Sequence, residues 1–181
     1  VLSTLHTNDA PSAIVRLTEM GIEPFLVGSA LDAVLAQRLA RRLCPKCKEA
    51  YTPTPDMLNV ADFPWQDGMD LPTLHRPVGC AACSKTGYKG RLALHEVMAV
   101  SETVERLTVE HASSMVIRKA AVEEGMITLR RDGFLKVLAE DFDPDPAAVE
   151  SAIRAFQSAQ DRKEQQNARA ALRQALESPR L

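Results

Sequence analysis

An α/β fold with an inserted four-cysteine metal module is the architecture this 181-residue sequence predicts. Three features predict it. A short apolar run at the start leads into a polar turn and then a helical pattern, as a strand feeding a helix does. Two Cys-x-x-Cys pairs follow at metal-ligand spacing. Three stretches of helical periodicity, each behind a Ser or Thr able to cap it, fill the region from 101 to 139.

Composition permits one medium domain. At 45% hydrophobic the chain can bury a core. A formal net charge of −2 and 4% aromatic residues argue against nucleic acid as a partner. The same charge balance gives no reason to expect an anionic membrane, and no apolar run reaches the ~18–20 residues that span a bilayer.

Val1-Leu2-Ser3-Thr4-Leu5-His6 reads as a short buried strand, and His6-Thr7-Asn8-Asp9 as the turn at its end. No Met opens the chain, and the strand starts without a preceding turn. Both facts imply that residues upstream of Val1 belong to the native protein. Asp9 is placed to cap a helix with Pro11 in its first turn, Ile14 and Leu17 inward, and Gly21 at its end. A second helix is predicted from Pro24 to Leu43. Phe25, Leu26, Val27, Ala30, Leu31, Val34 and Leu35 make its first half apolar all round, which implies deep burial. Arg38, Arg41 and Arg42 would sit at the negative end of its dipole.

Cys44-Pro45-Lys46-Cys47 and Cys80-Ala81-Ala82-Cys83 use every cysteine in the chain. Two residues between thiolates let both sulfurs of one turn face a single ion, and two such turns complete a tetrahedral site of the structural zinc type. Disulfides, redox pairs and four unrelated buried thiols are the rival readings. Arg41, Arg42, Lys46, Lys48, Lys85 and Lys89 flank the pairs and would offset the negative charge of four thiolates on one Zn2+. Metal-ligating cysteines also point to a reducing cytoplasm.

Between the pairs, Thr52 to Thr73 carries Pro53, Pro55, Pro64 and Pro72 and reads as a surface excursion. Phe63 and Trp65 within it are expected to plug a local core rather than form a contact patch. Arg91 to Val100 alternates as a strand. Helices are predicted near Glu102–Val109, Ser114–Glu124 and Leu129–Ala139, with Ser101, Ser113 and Thr128 as N-caps and Gly125 ending the second. Beyond lie an acidic, proline-broken linker from Asp141 to Pro146 and a helical tail with apolar stripes at Val149, Ile153, Phe156 and at Ala168, Leu172, Leu176. A solvated extension and a docking helix are the two readings of that tail.

Several motifs in one order carry a resemblance. They are Ser3-Thr4-Leu5-His6-Thr7-Asn8-Asp9-Ala10, Arg16-Leu17, Met20-Gly21-Ile22-Glu23-Pro24-Phe25, and Ala36-Gln37-Arg38-Leu39-Ala40-Arg41-Arg42-Leu43-Cys44. Val78-Gly79-Cys80, Gly87-Tyr88-Lys89-Gly90-Arg91, His95-Glu96-Val97-Met98, Glu124-Gly125-Met126 and Leu129-Arg130-Arg131-Asp132-Gly133 continue it. Over about residues 1–138 the chain resembles the C-terminal half of the ATPases that drive type II secretion and type IV pilus assembly.

The resemblance implies a RecA-like P-loop NTPase core, a hexameric ring that hydrolyses ATP with Mg2+, and an inner-membrane platform protein as the partner moved. It implies a cytoplasmic protein, peripheral at the inner face of the membrane. By the same likeness His6 would sense the γ-phosphate or position water, with Thr4, Thr7 and Asn8 supplying hydrogen bonds around it. Arg16 and Arg38 are candidates to stabilise the transferring phosphoryl group, although a structural role suits each as well. The four cysteines, Cys44, Cys47, Cys80 and Cys83, match the family's tetracysteine zinc site. The division implied is 1–43 for the end of the ATPase core, 44–91 for the zinc module, 92–139 for a strand and helical subdomain, and 140–181 for linker and tail.

The sequence departs from that family in three respects, one of them past Val137-Leu138, where the acidic linker and divergent tail replace the family's usual ending. No Gly-x-x-x-x-Gly-Lys-Ser/Thr occurs, and no strand ending in paired acids precedes His6. The expectation is a parent ATPase of which this chain alone is inactive. A zinc-stabilised adaptor module without ATPase activity is the alternative.

Overall fold

The computed structural model describes residues 1–66 and 68–139. Asp9 caps α1 (Ala10–Glu19), its carboxylate accepting the Ser12 amide, and Pro11 stands in the first turn. Pro24 opens α2 (Pro24–Ala30), and the chain turns extended at Leu31. It then runs as β1 (Ala33–Leu43), antiparallel to β4 (Tyr88–Ala99), in register from Ala33 opposite Ala99 to Arg41 opposite Arg91.

Between these long strands lie β2 (Glu49–Tyr51), α3 (Pro55–Val60) and β3 (Leu74–Arg76), with β2 and β3 paired antiparallel. Three capped helices follow: α4 (Glu102–Val109), α5 (Ser114–Glu123) and α6 (Leu129–Leu138). Ser101, Ser113 and Thr128 accept the amides of Val104, Val116 and Arg131, the capping expected of them.

One face of the β1–β4 hairpin builds the main core. Ala36, Ala40, Leu94 and Met98 are buried there against Ala10 and Ile14 of α1, Val27 of α2, Val104 of α4, and Ile117 and Ala121 of α5. A smaller cluster of Leu58, Phe63, Leu74, Phe134 and Val137 ties the segment between the cysteine pairs to α6. The Phe63 and Phe134 rings lie 4.9 Å apart, and Trp65 packs against the cluster while its Nε1 donates to Met69 O. Phe63 is the core plug expected of it, and the excursion carries a helix and core residues instead of lying wholly on the surface.

Two expectations fail. Val1 to His6 forms no strand: Val1 and Leu2 are fully exposed. A strand takes its hydrogen bonds from a neighbour, and among the described residues β1 and β4 pair with each other while β2 and β3 pair apart. The helix expected over Pro24–Leu43 stops at Ala30, and its second half is β1. Ala, Leu, Gln and Arg favour a helix intrinsically, but pairing along β4 overrides that weak preference. Arg38, Arg41 and Arg42 consequently lie on a strand, not in the last turns of a helix. Of the apolar set expected to be deeply buried, Val27 is, whereas Phe25, Leu26 and Leu35 are more than half exposed. The second strand also begins earlier than Arg91, at Tyr88. The linker and tail expectations fall outside the described residues.

α6 runs alongside β4 and covers its free edge. Asp132 accepts the His95 amide at 2.8 Å, and Lys136 donates to Ala93 O at 3.0 Å while pairing with Asp132. Edge groups that would otherwise invite another strand are thereby occupied.

Candidate functional sites

The four cysteines converge. Their sulfurs all lie within 4.8 Å of one another, with Cys44 and Cys83 buried and Cys47 and Cys80 partly so. Cys44 follows the last residue of β1, and its amide bonds Gly87 O just before β4, so the hairpin's connected end holds the two pairs together.

Local backbone geometry makes this approach feasible. Gly79 and Gly87 adopt φ of +110° and +78°, and a Cβ on either would stand 2.6 Å from Lys85 O or Pro77 Cβ. Amides then point at sulfur: Gly79 N to Cys47, and Cys80 N and Gly87 N to Cys83, at 3.2–3.4 Å. Backbone N–H bonds from Cys80 and Gly87 bring the Cys83 thiol down to about 6, against the desolvation that opposes them. Desolvation and the neighbouring thiols push Cys47 up to about 11. Four converging sulfurs served by backbone donors are a donor set that fits a soft, tetrahedral cation. Arg41, expected to offset its charge, lies over the Tyr88 ring at 3.9 Å.

A second site lies against the inner face of the hairpin, where a cavity of about 320 Å³ is lined by Asn8, Asp9, Arg38, Glu96, Arg118 and Arg130, among others. The His6–Asp9 turn forms one wall and is held from several sides. Arg38, on β1, donates to the carbonyls of Thr7 and Asn8, the latter at 2.6 Å. Arg118, on α5, pairs with Asp9. Glu96, buried on β4, accepts the Ala10 amide at 2.8 Å and the Leu129 amide at 3.1 Å.

Burial raises the Glu96 pKa, helped by Asp9, and the two amides and Arg118 only partly oppose it. Burial likewise lowers that of Arg38, against Asp9 and Glu96. Asn8 Oδ1 is buried without a hydrogen-bond partner among the described residues, so it is an acceptor with capacity to spare.

The residues singled out in sequence separate here. Thr7 and Asn8 stand in the held part of the turn, while His6 at its start and Thr4 before it lie exposed. Arg16 is apart from the cavity, exposed on α1 and paired with Glu19 at 3.4 Å. Glu96 and Arg118 escaped sequence reasoning as site residues. Glu96 sits at an inward position of an alternating strand, where an acid must find donors or lose stability. That mismatch was the available signal.

Residues 1–175 match the type II/IV secretion system protein family. The chain belongs to that family. Over 138 residues, 76% of its length, it is 43% identical to the type IV pilus assembly ATPase PilB of Myxococcus xanthus, of which it covers 24%. It is 43% identical over 140 residues to the type II secretion system protein E of Dickeya dadantii, covering 77% of this chain and 27% of that protein. The type II secretion system ATPase E of Vibrio cholerae is 40% identical over 137 residues, 76% of this chain and 26% of that one. This type II/IV secretion family member thus spans about a quarter of the length of the curated relatives it matches. No helix among its described residues is long and apolar enough to cross a membrane.

Proposed function

We propose that the chain is the C-terminal, zinc-braced portion of an ATPase that powers type II secretion or type IV pilus assembly. Family membership carries the reading, since the matched relatives are named as ATPases of those two machines. In this reading the strand-poor start belongs to a RecA-like core whose other strands lie in the longer protein. Residues 1–43 end that core, 44–91 form the zinc module, 92–139 the helical subdomain and 140–181 the linker and tail.

Zn2+ held by Cys44, Cys47, Cys80 and Cys83 would offset part of the thiolate charge and lock the hairpin's connected end; it would supply folding energy and no chemistry. ATP and Mg2+ would bind chiefly to a phosphate-binding loop that this sequence lacks, so the residues present can only orient. His6 senses the γ-phosphate or positions the attacking water, because it is exposed beside a turn whose backbone is held on several sides. Thr4 and Thr7 offer hydroxyls, and the unpaired Asn8 Oδ1 offers an acceptor for a bound hydroxyl or amide. Arg16, exposed on α1 beside Glu19, would stabilise a phosphoryl group bound by a neighbouring subunit of a hexameric ring. The ring works at the inner face of the cytoplasmic membrane on a platform protein.

Comparing ATP turnover by the 181-residue chain and by the full-length protein tests this. Turnover is expected from the full-length protein alone. An inactive full-length protein that binds zinc would favour a zinc-stabilised adaptor instead, the reading to which the cysteine site alone would lead.

A further inference from the structure

Two helix starts meet on one carboxylate. In α1 the cap Asp9 takes the amide of Ser12, leaving the Ala10 amide, and in α6 the cap Thr128 takes that of Arg131, leaving the Leu129 amide. The first amides of both helices point at Glu96, one to each oxygen. Each helix start is an orphan donor at the positive end of a dipole, so a single anion between two of them satisfies both.

Glu96 is 2% exposed and belongs to β4, whose other end adjoins the cysteine site. Through Ala10 it reaches the residue that follows the His6–Asp9 turn. A buried acid on a strand's inner face is costly unless it does something an apolar residue cannot. Here it joins three elements that hydrophobic contact alone would leave free to slide, because apolar packing carries no direction.

We propose that Glu96 is a positioning residue for the His6–Asp9 turn: its carboxylate pins the starts of α1 and α6 to the hairpin and so sets where that turn stands. Arg38 and Arg118 complete the hold, Arg38 on the turn's carbonyls and Arg118 on Asp9. Both belong to elements other than α1, so the turn is referenced to β1, β4 and α5 at once. Its catalytic consequence rests on the reading of His6 given above, whereas its structural content does not.

The test is amide hydrogen exchange on the 181-residue chain with Glu96→Gln, which keeps shape but offers one acceptor oxygen where two amides need one each. Exchange at Ala10 or Leu129 should quicken about tenfold or more, the scale of a lost charge-assisted bond. Leu94 and Met98, in the core beside it, should keep their rates. Glu96→Asp, a shorter carboxylate, should restore part of the protection.

Unchanged rates at both helix starts would overturn the proposal, as would equal acceleration of the core amides, which marks general loosening. In the full-length protein the same Glu96→Gln change should lower kcat with KM nearly kept. A kcat equal to wild type alongside quickened exchange would remove the catalytic consequence and leave the hold. No turnover in the wild type would count against the proposed function and not against Glu96.

Discussion

At the scale of single residues, Glu96 shows how burial and hydrogen bonding compete over one proton. Desolvation dominates, and the folded-state pKa stands above the ordinary carboxylate value of 4.5 despite two amide donors. The folded protein therefore holds this proton over a window just above 4.5 in which the unfolded chain has released it. The stability tied to this group is complete below that window and falls as pH rises through it. Asp9, Asp62, Arg38, Arg118 and Arg130 face the same cavity; burial and Asp9 raise the window's upper limit, and the two amides and Arg118 lower it. The difference between wild-type and Glu96→Gln melting curves should slope through this range and flatten above it. A difference independent of pH would show that Glu96 ionises as it does in the unfolded chain.

At the scale of elements, α6 illustrates what pattern reading captures and what it misses. Thr128, the helical spacing of the following residues and the end near Ala139 were legible as a capped helix, and the observed helix agrees. What it packs against was not legible, because Phe63 and Phe134 are 71 positions apart and nothing local links them. Phe134 is 1% exposed and is the α6 anchor for the segment between the cysteine pairs. Phe134→Ala should cost about 3–5 kcal/mol, the usual range for emptying a buried aromatic site, read by chemical denaturation. A loss of less than ~1 kcal/mol would mean that this cluster contributes little.

β1 marks the opposite case. Its inward residues Val34, Ala36, Arg38 and Ala40 are small or charged, so their alternation is nearly invisible in hydropathy. The largely apolar run from Phe25 to Leu35 continued into it, and the helical reading of Pro24–Leu43 followed. The pairing that decides the matter spans from Ala33 to Ala99, beyond any local window. The cysteine pairs were readable for the converse reason: ligand spacing is dictated by the metal, and neighbouring structure only has to comply.

For the whole molecule, the hairpin carries two sites. Its connected end holds the cysteines; farther along β4, Glu96 holds the starts of α1 and α6. Structural metal contributes folding energy directly, so the consequence of losing it should not stay local. Cys80→Ser should abolish retention of about one zinc per chain and lower the melting temperature. Metal content and melting unchanged by that substitution would rule out a four-thiolate site. The role proposed for the His6–Asp9 turn rests on family resemblance, since a lone exposed His carries little chemistry by itself.

The most direct measurement is ATP turnover by the full-length protein with His6→Ala. Predicted is a fall in kcat of about a hundredfold or more, the order expected for losing a positioned acid–base or orienting group, with zinc content and melting temperature kept. Turnover equal to wild type in His6→Ala would contradict the role proposed for His6, and no turnover by the full-length wild type would contradict the central claim itself.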